Sequence, residues 1–172
     1  MTRDLFDLLA TVVDYPDENL RMVVDEAAAL ADAPAVRAPL ESFAEVLSQI
    51  SLDELREHYV TTFDFAPSCS LEVGSHLYGD SHERGAFLVR LLDGMRRVGI
   101  EPKGQLPDHL SCALALVGRD EAGHAAEFAV KIAPTIEQIR RALIERHSPY
   151  AEVLGAVRAA LLEVRPVAAV RR

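Results

Sequence analysis

Residues 59–85 read YVTTFDFAPSCSLEVGSHLYGDSHERG, and after one amphipathic segment residues 105–110 read QLPDHL. Pro67, Gly74 and Gly79 interrupt any helical period there. Phe65, Leu71, Val73, Leu77 and Tyr78 are nevertheless apolar enough to pack. The spacing predicts an ordered loop over 65–79, with a turn or two of helix near Leu71–Leu77. A loop this long in a compact domain is usually functional or disordered, and its apolar content argues against disorder. Everything on either side reads as helix. The expected fold class is therefore all-α, with the outer helices presenting this centre.

Working outward toward the N-terminus, Ser51-Leu-Asp-Glu54 is a capping box, whose serine and glutamate satisfy orphan N–H groups reciprocally. It opens a helix that carries Leu55, Tyr59 and Thr62 on one face and runs into Phe63-Asp64. Before it, Leu40, Phe43, Leu47 and Ile50 form the stripe of a helix expected to start at Pro39, after a short break around Pro34. Pro16 is expected to open the preceding helix, at a first position where its missing N–H costs nothing. Leu20, Val23, Val24, Ala27 and Leu30 are that helix's stripe. Leu5, Leu8, Leu9, Val12 and Val13 repeat at helical spacing over residues 4–13.

Toward the C-terminus, Asp80 is expected to cap a helix, with Glu83 at the reciprocal position and Leu88, Leu91, Leu92 and Met95 buried. Asp93 and Arg97 are spaced to pair on its wet face, and Gly99 ends it. Ile100–Gln105 reads as a flexible connector. Pro107 is expected to start the next helix, with Asp108 in its first turn and Gly118 as its stop. An alanine-rich stretch over 119–133 follows, then a helix from Pro134 and a last one after Ser148-Pro149. No repeat and no strand pattern is present. The expectation is a single-domain bundle of eight or nine helices over residues 1–162, with a flexible tail over 163–172.

The totals narrow the function. At 172 residues the chain buries about two-thirds of its unfolded surface and needs no staples. Lys plus Arg number 18 against 27 Asp plus Glu, so the net charge is -9. That argues against nucleic acid, because phosphate contacts need clustered positive charge, and favours a basic partner. Cys69 and Cys112 lack the spacing of a disulfide framework or zinc knuckle. Asp4 and Asp7 within the first apolar segment are unlike a secretory signal. No apolar run is long enough to span a bilayer. The expected location is the cytoplasm.

Chemistry is scarce. His58, His76, His82, His109, His124 and His147 show no helical ligand spacing. His76, His82 and Glu83 would make a metal site only if their turn folded back, and polar decoration of a turn is the plainer reading. Cys69 has no histidine partner in the sequence and reads as a buried thiol. Gly74, Gly79 and Gly85 are spaced wrongly for a phosphate loop. Most carboxylates sit at helix starts, where the macrodipole explains them. Asp64 and Asp108 remain: each either caps a helix or meets a partner's cation. No catalytic residue emerges, and the apolar centre suits peptide binding.

Four segments together resemble the NarJ family, within the TorD/DmsD-like group of molybdoenzyme chaperones. They are Tyr59-Val60-x-x-Phe63-Asp64, Cys69-Ser70-Leu71, Gly79-Asp80-Ser81-x-x-Arg84-Gly85 and Leu106-Pro107-Asp108-His109-Leu110. The resemblance implies an all-helical, cytoplasmic assembly chaperone that is not an enzyme and holds no cofactor of its own. The molybdenum cofactor belongs to its client. The implied partner is the catalytic subunit of respiratory nitrate reductase, bound in part through its N-terminal segment. No membrane insertion is implied, and the expected state is a monomer or weak dimer. The client-peptide residues are expected to be Tyr59, Phe63, Asp64, Ser70, Leu71, His76, Asp80, Glu83, Arg84, Asp108 and His109. The family often carries a more aromatic run where this chain has Glu72-Val73-Gly74-Ser75-His76. A paralogue serving another molybdoenzyme is accordingly the alternative.

Overall fold

A computed structural model describes residues 3–102, 104–120 and 124–164. Nine α-helices and no strand occur among them. They are α1 (Arg3–Val12), α2 (Leu20–Leu30), α3 (Pro34–Leu47), α4 (Leu52–Tyr59), α5 (Val73–Tyr78), α6 (His82–Arg97), α7 (Leu110–Arg119), α8 (Ala125–Glu145) and α9 (Tyr150–Glu163). The all-α expectation holds. Residues 165–172, most of the expected tail, lie outside the described residues.

The bundle is built around α9. Val153, Leu154, Ala156, Val157 and Ala160 are all wholly buried, so this helix is covered on several sides. It packs between α3 and α8, while α1 joins α2 to α7. Phe43 of α3, Ile136 and Ile139 of α8, and Tyr150 of α9 fill the centre. The rings of Phe43, Tyr59 and Phe63 lie 5.1, 5.6 and 5.1 Å from that of Tyr150. Each such aromatic pair adds about 0.5–1.5 kcal/mol beyond its area.

Several helix boundaries differ from the sequence expectation, each for a local reason. Pro34, not Pro39, occupies the first position of α3. Pro39 lies inside the helix, four residues beyond exposed Ala35, whose carbonyl loses a donor. Pro134 likewise sits inside α8 rather than opening a helix. Both it and Val130, four residues back, are exposed, so the bond that proline removes is on the wet side. Pro16 does not open α2. It is buried and its carbonyl accepts from Arg56 Nε at 3.1 Å, while Asp17 accepts from the Asn19 N–H at 2.8 Å and delays the helix. Ser81, not Asp80, caps α6, accepting from the Arg84 N–H. The buried stripe of α6 is Phe87, Leu91 and Met95, and Asp93 pairs with Arg96 at 3.4 Å rather than with Arg97.

The Ser51–Glu54 capping box forms as expected. Gly99 takes a φ of +70° after α6, the left-handed turn that glycine permits. Ser148 Oγ accepts from the Tyr150 N–H and meets His58 Nε2 at 2.8 Å, tying α4 to the start of α9.

Candidate functional site: an acidic cleft at the irregular centre

α4 does not stop at Tyr59. It widens into a π-helical turn over Val60–Asp64, in which Thr61 Oγ1 bonds back to the Glu57 carbonyl at 2.9 Å. Such turns are frequent at functional sites because they re-aim side chains. Here Phe63 points into the core and Asp64 stays exposed. A 3-10 turn over Pro67–Cys69 and the short α5 complete the centre, matching the turn or two of helix expected.

Two backbone bonds fasten this centre to the start of α7. Val73 N–H donates to the Asp108 carbonyl at 2.9 Å, and Leu110 N–H donates to the Leu71 carbonyl at 2.8 Å. The Asp108 carbonyl and Leu110 N–H are committed to that pairing, so α7 begins at Leu110 rather than Pro107, with His109 as its cap. Asp108 therefore lies outside the helix. It is wholly buried, with Oδ2 3.1 Å from Arg84 Nε, and Arg84 also reaches Glu72 at 3.0 Å. Burial opposes the Arg84 charge, but the carboxylates of Asp108 and Glu72 outweigh it and raise its pKa. Gly74 is required beside this pair, because a Cβ there would collide with the Asp108 carboxylate.

A cleft of about 490 Å³ opens beside this junction, lined by Tyr15, Tyr59, Phe63, Asp64, Ser70, Leu71, Glu72, Gln105 and His109 among others. Six of the eleven expected site residues thus meet: Tyr59, Phe63, Asp64, Ser70, Leu71 and His109. Asp80 and Arg84 line a separate neighbouring hollow with Leu106. Asp108 cannot meet a partner's cation directly, because it is wholly buried and its Oδ2 is already paired with Arg84. His76 is half-buried, its Nε2 donating to the Ser70 carbonyl at 2.8 Å. Glu83 is exposed, and its carboxyl is held below its usual range by its own backbone N–H and by Ser81. No cluster able to hold a metal forms among the described residues, so His76, His82 and Glu83 do not converge.

Tyr15 and Gln105 were not foreseen as site residues. Tyr15 is half exposed, packs edge-on against Tyr59 at 5.6 Å, and also lines a second cleft of about 660 Å³. Gln105 lines the first cleft and donates to Asp14, which lines the second, at 3.4 Å. Asp7, Asp14, Asp17 and Glu101 line that second cleft with Arg119. Asp7 is paired with Arg119 at 3.1 Å, and Glu72 with Arg84. Asp14, Asp17, Asp64 and Glu101 make no ion pair with a described residue. The joined clefts are consequently strongly acidic.

His109 sits in this acidic surround. Burial lowers its pKa, and the carboxylates of Asp14, Glu72, Asp108 and Asp64 only partly oppose that. Its Nδ1 accepts from the Ser111 N–H at 3.3 Å and lies 2.8 Å from Ser111 Oγ. The neutral ring then carries its proton on Nε2. Tyr59 Oη donates to the Val13 carbonyl at 3.0 Å, and burial raises its pKa, so it remains a neutral phenol. Cys112 is buried beside the second cleft, and burial raises its thiol pKa. These groups can bind and orient a cationic chain, but none is an activated nucleophile.

The family model described as nitrate reductase delta subunit matches residues 29–155. The chain belongs to this family. It is 31% identical over 160 residues to a NarJ of Bacillus subtilis described as a nitrate reductase molybdenum cofactor assembly chaperone, covering 91% of this chain and 87% of that protein. It is 27% identical over 150 residues to the NarJ of Escherichia coli, likewise described as such a chaperone. There the match covers 84% of this chain and 64% of the longer relative. A crystal structure from Archaeoglobus fulgidus, described as a redox enzyme maturation protein, shares the fold with a TM-score of 0.60 over 94% of both chains at 19% identity. No described helix is long and apolar enough to cross a membrane.

Proposed function

We propose that this protein is a cytoplasmic assembly chaperone for respiratory nitrate reductase. In this reading it binds the catalytic subunit, including its N-terminal segment, and keeps it competent for molybdenum cofactor insertion. The cofactor is cargo for the client rather than a resident group here, and the chaperone catalyses no reaction. Family membership supports the general role. The single observation that carries peptide binding is the pair of joined clefts, where Asp14, Asp17, Asp64 and Glu101 pair with no cation among the described residues and Tyr15 stands half exposed between them.

A basic amphipathic leader suits that surface. Its apolar side chains would lie against Tyr15, with Tyr59 and Phe63 backing the cleft, and its cations would meet the carboxylates of Asp14, Asp17, Asp64 and Glu101. A chaperone must release its client, so a dissociation constant near 1 μM, about −8 kcal/mol, is expected. Calorimetric titration with the N-terminal peptide of the nitrate reductase catalytic subunit tests this. Leaders of related molybdoenzymes in parallel would reveal a paralogous client if one of them bound more tightly. Absence of binding to every such leader would overturn the proposal.

A further inference from the structure

The acidic clefts leave another hollow unexplained. A groove of about 330 Å³ runs between α6, α7 and α8, floored by Phe87, Leu91, Leu116 and Phe128. Its α6 wall carries Arg90 and Arg97. These stand seven residues apart, about 10.5 Å along the helix, and share one side of it. Gly94 lies between them, and Leu116 packs 3.4 Å from where its Cβ would be.

The charge of this wall is unusual for the molecule. The chain has 27 acidic residues against 18 basic ones. Of the arginines whose side chains are described, all but Arg90, Arg97 and Arg146 bond to a carboxylate or a carbonyl. Two of those three flank this groove. The other walls are mixed in charge. Lys131 there is engaged by Tyr78 Oη and lies over the Phe87 ring at 5.4 Å, Glu127 is exposed, and Asp120, which caps the Ala125 N–H, lines the far end, so the unpaired positive charge is confined to the α6 wall.

We propose that this groove docks an acidic amphipathic helix of a partner protein. Carboxylates two turns apart on one edge of that helix would pair with Arg90 and Arg97, and its apolar stripe would cover the half-buried Leu116 and Phe128. The chain's own C-terminal segment has the wrong sign, since it carries Arg165, Arg171 and Arg172. A second copy meeting groove to groove would oppose like charges. The site is separate from the leader cleft, with which it shares no lining residue.

The test uses the full chain and two fluorescent helical peptides. Both carry leucines at i, i+3, i+4 and i+7; one has glutamates flanking this stripe and its twin has lysines. The acidic peptide should bind, and the Arg90→Glu/Arg97→Glu chain should bind it about tenfold more weakly, the size of two exposed ion pairs together. Binding of the basic leader should be unchanged in that variant, so its outcome is separable from that of the leader cleft. Both arginines are exposed, so melting should barely move. The inference is overturned if the acidic peptide fails to bind, if the double reversal leaves its affinity unchanged, or if sedimentation shows a second copy occupying the groove.

Discussion

Removing Arg84 tests how the irregular centre is held. Asp108 is wholly buried, and its Oδ2 has Arg84 Nε at 3.1 Å while Oδ1 has no hydrogen-bond partner. In Arg84→Met the guanidinium goes and a buried carboxylate is left uncompensated. Breaking a buried pair from one side costs about 3–5 kcal/mol. Glu72 also loses its 3.0 Å contact, but its side chain is 39% exposed, so that adds at most about 1 kcal/mol. A native state holds only about 5–15 kcal/mol in all. For a chain of this length, the melting temperature should fall by about 10 °C. Urea unfolding followed by circular dichroism measures the change directly. The double variant Arg84→Met/Asp108→Asn removes both charges at nearly constant shape and should recover about half the loss. A cost below about 1 kcal/mol for Arg84→Met, or a double variant weaker than the single, would refute the reasoning.

Three further outcomes follow from the same geometry. Gly74→Ala should destabilise by about 1–3 kcal/mol, because its Cβ collides with the Asp108 carboxylate, and calorimetry would show an unchanged melting temperature if the backbone yields instead. His58 and His109 both have pKa values lowered by burial. The unfolded chain takes up protons first, so stability should be level above about pH 7 and fall as pH drops through about 6.5. In His109→Asn, which keeps an acceptor for the Ser111 N–H, that fall should be shallower; an equal slope by thermal scans argues against His109 as a source. Asp64→Lys should weaken a basic leader peptide several-fold in calorimetry with little change in helicity, since Asp64 is exposed and makes no ion pair with a described residue, and equal losses of affinity and melting temperature would mark it as structural.

The sequence by itself determined the helical class, the Ser51–Glu54 cap, the break over 65–79 and the family. These rest on local rules: apolar period, capping chemistry, glycine and proline placement, and ordered short motifs. It also brought six cleft residues onto one short list, because all six lie in three of the four short segments that resemble the family. It misplaced Asp108. Proline at 107 with an acid after it has the local form of a helix start, but Leu71 and Val73 claim the backbone at Asp108 and Leu110 from more than thirty residues away. It also split the helices at Pro39 and Pro134, since no local signal says that the bond each removes faces water. Tyr15 and Gln105 joined the site only through packing, and the Arg90–Arg97 wall stood out only once the partners of the other arginines were known. Tertiary structure decided these points because pairing, burial and charge balance depend on residues far apart in the chain.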